Sequence, residues 1–255
     1  FKRIKMYNFI MENTSSNKHI KKDIILEIIN VSKPIKNKML LENISFKLIT
    51  KSFHVLIGRN GAGKSTLMNI LTGNDKNYTG DIYFKNEDIK LVKIRKSCMY
   101  FNTNLSFPLW WNVFEYIKNF SYFFNNKVLS NKEIMDKLVE YNLEDKIKSN
   151  PNFLSSGEKK KLPIILVELL KPELVFLDEP DSNLDTEARK FIYEKLKNIS
   201  EQGSSIFISS HYNDEIKQYA NSVTYIEKGK ILNSIIDSSN LDTKIISNVK
   251  NRRNK

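Results

Sequence analysis

Gly58-Arg59-Asn60-Gly61-Ala62-Gly63-Lys64-Ser65-Thr66 matches the phosphate-binding pattern G-x-x-x-x-G-K-[ST]. Before it, Phe53-His54-Val55-Leu56-Ile57 is short, apolar and partly β-branched, and reads as a buried strand. After it, Leu67-Met68-Asn69-Ile70-Leu71 has the apolar spacing of a helix that ends near Gly73. A strand, a glycine-rich turn and a helix start make an anion site. The glycines let backbone N–H groups converge on phosphate oxygens, and the helix start adds partial positive charge. In this reading Gly58, Asn60, Gly61, Ala62, Gly63 and Thr66 belong to a nucleoside triphosphate site. Lys64 reaches the β- and γ-phosphates, and the Ser65 hydroxyl ligates Mg²⁺.

The 255 residues suffice for one larger domain or two small ones. Hydrophobic residues at 40% and charged residues at 27% describe an ordinary globular composition. The longest apolar run, Leu162 to Leu170, is too short to cross a bilayer. The basic stretch Phe1 to Ile10 lacks an unbroken apolar segment and a small-residue cleavage site, so no secretory signal is expected. A lone cysteine, Cys98, cannot form an internal disulfide, which suits a reducing compartment. The net charge of +12 comes from lysines spread along the chain rather than from one basic patch, so no specific nucleic-acid partner is expected. The densest basic cluster is the terminal Lys250-Asn251-Arg252-Arg253-Asn254-Lys255, which reads as a solvated end.

Residues 11–22 are polar and read as disordered. Ile24 to Ile29 and Leu40 to Leu48 read as strands separated by a turn around Pro34 to Asn37. Ile82-Tyr83-Phe84 and Cys98 to Phe101 are further strands. From Trp110 to about Ile147 the chain is helical. Val113, Ile117, Phe120 and Phe124 form one stripe, and Ser130 caps a second helix carrying Ile134, Leu138 and Tyr141. Trp110 and Trp111 could face a partner, but such aromatics are more often core, and they are expected in the core of this helical part. After Pro151 the order is helix (Ser155–Leu170), strand (Leu174–Leu177), helix (Thr186–Ile199), strand (Ser205–Ser209) and helix (Asp214–Ala220). Two closing strands follow, Val223–Ile226 and Ile231–Ile236. This α/β alternation implies a mostly parallel sheet, and with the phosphate-binding loop at its start the expected fold is a P-loop NTPase core.

Leu174-Val175-Phe176-Leu177-Asp178-Glu179 is an apolar strand ending in two carboxylates. A parallel sheet puts that end beside the phosphate loop, where Asp178 holds Mg²⁺ through water and Glu179 orients and deprotonates the attacking water. Leu154-Ser155-Ser156-Gly157-Glu158 precedes a helix by one turn.

With these motifs the chain, from about Leu26 to Leu232, resembles the nucleotide-binding cassette of the ABC ATPase superfamily, whose signature is Leu-Ser-Gly-Gly-Gln/Glu. The resemblance implies a nucleotide-binding domain over residues 23–238. That domain combines a mostly parallel sheet, an antiparallel β subdomain and a helical insert over about 103–170. It is flanked by an N-terminal extension (1–22) and a basic polar tail (239–255). It implies ATP and Mg²⁺ as ligands, and a head-to-tail dimer in which Leu154, Ser155, Ser156, Gly157 and Glu158 of one subunit meet the γ-phosphate on the other. Ser182-Asn183-Leu184-Asp185 resembles the dimer-contacting loop, with Asp185 at its end, and His211 holds the position of the switch histidine. Glu179, His211 and Lys64 are thus the residues expected to carry hydrolysis.

The chain departs from the family pattern at several places. Ile35 stands where an aromatic residue stacks on adenine, so π-stacking is lost and weak base discrimination is expected. Asn102 replaces the Mg²⁺-contacting glutamine and is one methylene shorter, so it reaches the ion through water. Ser156 replaces a signature glycine, which is tolerable at negative φ, and Pro163 should kink its helix.

The expected role is the ATP-hydrolysing subunit of an ABC transporter, homo- or heterodimeric, at the cytoplasmic face of a membrane. It would drive a separately encoded permease docked near Asn102 to Phe124. Leu154 to Pro180 and Ser209-Ser210-His211-Tyr212 most resemble cassettes of bacterial exporters. The alternative is a soluble ATPase of the iron–sulfur cluster assembly type, which Ser156 to Lys161 and Asp181 to Asp185 also resemble.

Overall fold

The structure, a computed structural model, describes residues 23–36, 38–89, 97–211 and 215–235. The polar extension 1–22, the tail 239–255, Tyr212 and Asp214 lie outside the described residues. In chain order the strands are β1 (Ile24–Ile35), β2 (Lys38–Ile49), β3 (Phe53–Ile57), β4 (Thr79–Phe84), β5 (Glu87–Asp88) and β6 (Cys98–Phe101). They continue with β7 (Leu174–Asp178), β8 (Ser205–Ser210), β9 (Ser222–Glu227) and β10 (Lys230–Ile235). The α-helices are α1 (Lys64–Leu71), α2 (Val113–Asn125), α3 (Asn131–Glu140), α4 (Ser156–Leu170) and α5 (Thr186–Glu201).

Strands β10-β9-β3-β8-β7-β6 form one sheet, parallel throughout except for the β9–β10 hairpin. Strands β2-β1-β4-β5 form a second, antiparallel sheet. Strand β3 is buried along its whole length, as a central parallel strand covered on both faces must be. Its two-residue alternation divides the interior. Val55, Ile57, Val175, Leu177, Ile206 and Ile208 join the cluster built with α2, α3, α4 and α5. Leu56, Leu174, Phe176 and Phe207 join the cluster containing α1 and the antiparallel sheet. The P-loop NTPase architecture expected from the alternation and the phosphate-binding loop is the one observed.

Three helices start on reciprocal caps: Asn112 with Glu115, Ser130 with Glu133 and Ser155 with Glu158. Pro163 is buried inside α4, which runs without interruption from Ser156 to Leu170.

Three sequence expectations are corrected. Strand β1 continues through Pro34 to Ile35, so the turn expected from Pro34 begins only at Lys36, and β4 pairs with β1 only as far as Ser32. Beyond that point only β2 pairs, so Pro34 lies on an edge of the sheet, where proline is tolerated. The helix expected over Asp214–Ala220 is, among the described residues, a 3₁₀ turn at Glu215–Gln218. Ile216 on it and Ala220 just after it are buried, and the chain enters β9 at Ser222. Trp110 is not in the core but 81% exposed, because α2 begins only at Val113 and leaves Trp110 in the preceding loop. Trp111 is half-buried and stacks on Phe123, ring centroids 6.3 Å apart.

His54 has a structural place in β3. It packs against Phe46 and Phe207, which also touch each other, with Nδ1 2.6 Å from Ser222 Oγ and Nε2 2.9 Å from Thr224 Oγ1. Burial pushes its pKa down to about 3. The folded chain therefore keeps it neutral where the unfolded chain, with a pKa of about 6.5, takes up a proton. As pH falls through that value only the unfolded state gains the proton, so stability is lost, down to about pH 3. Between about pH 7.5 and 5.5 the loss from this residue is expected to be about 1.4 kcal/mol. In His54→Phe, Ser222 and Thr224 keep their bonds to Ile235 O and Ser234 Oγ. Urea unfolding of both proteins at the two pH values checks this: equal pH sensitivity would refute it.

Candidate functional site

The loop between β3 and α1 is held from beneath by glycine contacts. A Cβ on Gly58 would lie 2.6 Å from Ile226 O, and one on Gly63, at φ 106°, would lie 2.7 Å from Leu41 Cδ2. Gly229 N, in the β9–β10 turn, donates to Ala62 O at 3.0 Å. The upper side is open, with no protein atom beyond its chain neighbours within 4 Å of a Cβ built on Gly61 (φ 75°). Helix α1 is also the one α-helix among the described residues whose N-terminus receives no side-chain cap. Asn112, Ser130, Ser155 and Asp185 cap the other four. Uncapped N–H groups over an open glycine turn fit a phosphate chain.

Lys64 is buried, and its ammonium donates to Gly58 O at 2.9 Å and Arg59 O at 3.4 Å. It also pairs with Glu179 Oε1 at 3.2 Å, and His211 Nε2 lies 3.3 Å from the same oxygen. Three residues far apart in sequence thus meet at one carboxylate oxygen. Register explains how. Asp178 and Ser209 are paired across β7 and β8, which brings the ends of both strands beside the phosphate loop. Ser209 Oγ donates to Asp178 Oδ1, while Glu179 N donates to Ser209 O at 3.2 Å. Glu179 itself sits at φ 51°, a left-handed conformation costly for a non-glycine residue.

Asp178 is buried and Ser65 is exposed on the first turn of α1. Asn102 is exposed and lines one cleft together with Asp178, Glu179 and Lys160. These donors are a hydroxyl, a carboxylate and an amide oxygen, all hard. No group of three or more His, Cys, Asp or Glu suited to a metal exists among the described residues. Such a sparse oxygen set fits Mg²⁺, which is held by one or two protein groups together with phosphate oxygens and water. Asn60 is exposed and Thr66 half-buried on the same loop and helix start. Ile35 is 45% exposed at the end of β1, near Met39 and Leu40, which are exposed on β2.

The signature residues lie at the start of α4. Ser155 is exposed, and its Oγ accepts from Glu158 N at 3.2 Å. Ser156 has no positive φ, so the replacement of glycine there is without strain. Leu154 is buried, and Gly157 has only an ordinary 3.7 Å contact for an added Cβ. Asp185 caps α5 through Ala188 N at 2.7 Å.

Sequence reasoning missed the residues that surround Glu179. Lys160 donates to Glu179 O at 3.2 Å and to Ser182 Oγ at 2.8 Å, and burial pushes its ammonium down to about 8. Asp181 Oδ2 accepts from Tyr193 OH at 2.6 Å and from Ser210 Oγ. Only their proximity in sequence to Glu179 and His211 could have marked Asp181 and Ser210. Nothing local marks Lys160, in a run of three lysines.

Residues 41–182 match the family model described as ABC transporter. The chain is 30% identical over 202 residues to the lipoprotein-releasing system ATP-binding protein LolD of Buchnera aphidicola, covering 74% of this chain and 89% of that one. It is 30% identical to the spermidine/putrescine import ATP-binding protein PotA of Mycoplasma mycoides, covering 81% and 60%. It is 32% identical to an ABC transporter ATP-binding protein of Clostridium tetani, covering 83% of this chain but only 49% of that relative, about half its length. A solved structure of the ATP-binding subunit of an ABC transporter superposes with a TM-score of 0.73 at 25% identity, covering 83% and 90%. With its phosphate loop, paired carboxylates and signature helix in this arrangement, the chain belongs to the ABC transporter family, as a nucleotide-binding cassette.

Proposed function

We propose that the protein is the Mg²⁺-dependent ATP-hydrolysing subunit of a transporter, working as a head-to-tail dimer that drives a membrane permease. The meeting of Lys64 and His211 at Glu179 Oε1 carries this reading. Glu179 takes the proton of the attacking water as general base, and His211 holds that water in line with the γ-phosphate. Lys64 moves its ammonium onto the β- and γ-phosphate oxygens. Mg²⁺, when bound by Ser65, Asp178 and, through water, Asn102, supplies neutralisation of phosphate charge. Across the dimer, Ser155 and the N–H groups of Ser156 and Gly157 clamp the γ-phosphate of the partner's nucleotide. Residues 23–238 form this unit, with the helical part over about 103–170. The test is the rate of Mg-ATP turnover by the purified chain: no turnover by the wild-type dimer overturns the reading.

The permease site we place on the helical part. Among the described residues no helix is long and apolar enough to cross a membrane. Leu109, Trp110 and Phe123 are 76%, 81% and 74% exposed, beside a groove lined by Trp111, Phe120, Phe123 and Phe124. Such a contiguous exposed apolar patch marks an interaction surface. Trp110→Ala with Phe123→Ala is expected to leave basal turnover within about twofold and cut co-purification with the permease at least tenfold, as loss of aromatic anchors does. Unchanged co-purification from native membranes would place the docking face elsewhere.

The direction we read as export, from the likeness of Leu154 to Pro180 and of Ser209 to Tyr212 to exporter cassettes. Loss of the protein should then leave cargo inside the cell, and depletion of cargo there would reverse the assignment.

A further inference from the structure

Glu179 carries the proposed base on a strained backbone, and a strained residue persists only when its surroundings over-determine it. Here the determinants converge on its carbonyl. Glu179 O accepts from Ser182 N at 3.2 Å, from Ser182 Oγ at 3.0 Å and from Lys160 Nζ at 3.2 Å. Lys160 Nζ also donates to Ser182 Oγ at 2.8 Å and to Ser182 O, so one ammonium spans both ends of the turn Glu179-Pro180-Asp181-Ser182. The side chain that does this comes from α4, the helix whose N-terminus carries Ser155 and Gly157. On the far side, Ser209 takes the Glu179 N–H through both its carbonyl and its hydroxyl, and Asp181 is held by Tyr193 and Ser210. Lys160 is half-buried, so its charge faces these few oxygens rather than bulk water.

We propose that Lys160 is a positioning residue: by tying Glu179 O to Ser182 it keeps Glu179 in its left-handed conformation and so aims the carboxylate at Lys64 and His211. It thereby links the position of α4 directly to the base. Movement of α4 that withdraws the ammonium leaves Glu179 free to relax out of that conformation. The proposal rests on the reading of Glu179 as the base.

The test is steady-state Mg-ATP hydrolysis by the full chain. Lys160→Met keeps the aliphatic stem and removes the ammonium. It is expected to lower kcat about tenfold, the scale of one relaxed backbone strain, with KM for ATP unchanged within about twofold. Lys160→Arg keeps donors at the end of the stem and should recover a third or more of the lost kcat. On a Glu179→Gln background, Lys160→Met should cause no further loss, because a residue that acts through Glu179 has nothing left to act on. Full kcat in Lys160→Met, or a further tenfold loss on the Glu179→Gln background, overturns the proposal. If Glu179→Gln itself leaves turnover intact, the reading of the base fails instead, so the two failures are distinguishable. Should Lys160→Met not fold, Ser182→Ala removes the other side-chain donor to Glu179 O and is expected to show the same split between kcat and KM. A fall in KM alone overturns the proposal there too.

Discussion

Glu179→Gln is expected to cut ATP turnover about a hundredfold or more, the scale on which a positioned general base contributes, while nucleotide binding persists. The substitution is nearly isosteric, so the backbone at φ 51° keeps its bonds to Ser209, Ser182 and Lys160. What changes is at Oε1, where Lys64 and His211 both point. An amide cannot take the proton of the attacking water. It also removes one negative charge from a site meant to receive a polyanion, so affinity for ATP should hold or rise. With hydrolysis blocked and nucleotide retained, the closed dimer should accumulate. Gel filtration with Mg-ATP would show it as a shift to twice the mass in the variant and not in wild type. Turnover within about threefold of wild type would remove Glu179 from the role of base.

The strand-end geometry behind this prediction was legible because buried parallel strands are near-continuous apolar runs. Leu174 to Leu177 ends in Asp178 and Glu179, and Ile206 to Ile208 ends near His211, and both ends lie beside the phosphate loop once the sheet is parallel. What was not legible depends on contacts between segments far apart in sequence. Pro34 looked like a turn because its cost in a strand is set by the absence of a second partner beyond Ser32, which is a property of β4 and not of β1. Trp110 looked like core because it is aromatic, yet the Asn112 cap sets the helix start beyond it. Lys160 looked like one of three solvated lysines, and only the packing of α4 against the turn after β7 singles it out. The strain at Glu179 has no sequence signal at all, since glutamate is an unremarked residue and its φ is imposed from outside.

Lys64→Met should weaken ATP binding about thirtyfold or more, from the loss of charge-assisted bonds to phosphate, and bring turnover to background. Methionine keeps the length and apolar stem of a side chain that is only 4% exposed, so the fold should survive. The ammonium is expected to serve two acceptor sets in turn. Without nucleotide it bonds Gly58 O and Arg59 O and pairs with Glu179 Oε1. With nucleotide it neutralises the β- and γ-phosphate oxygens. The first set makes a further prediction that concerns stability alone. Removing Lys64 leaves the mostly buried Glu179 carboxylate with the exposed His211 as its remaining side-chain partner, and should destabilise the nucleotide-free protein by about 1–3 kcal/mol. Adding Glu179→Gln to Lys64→Met takes away that charge and should restore most of the loss, although activity stays absent. Urea unfolding of the two single variants and the double variant reads the coupling directly. Additive losses would mean that the Lys64–Glu179 pair contributes nothing to the folded state.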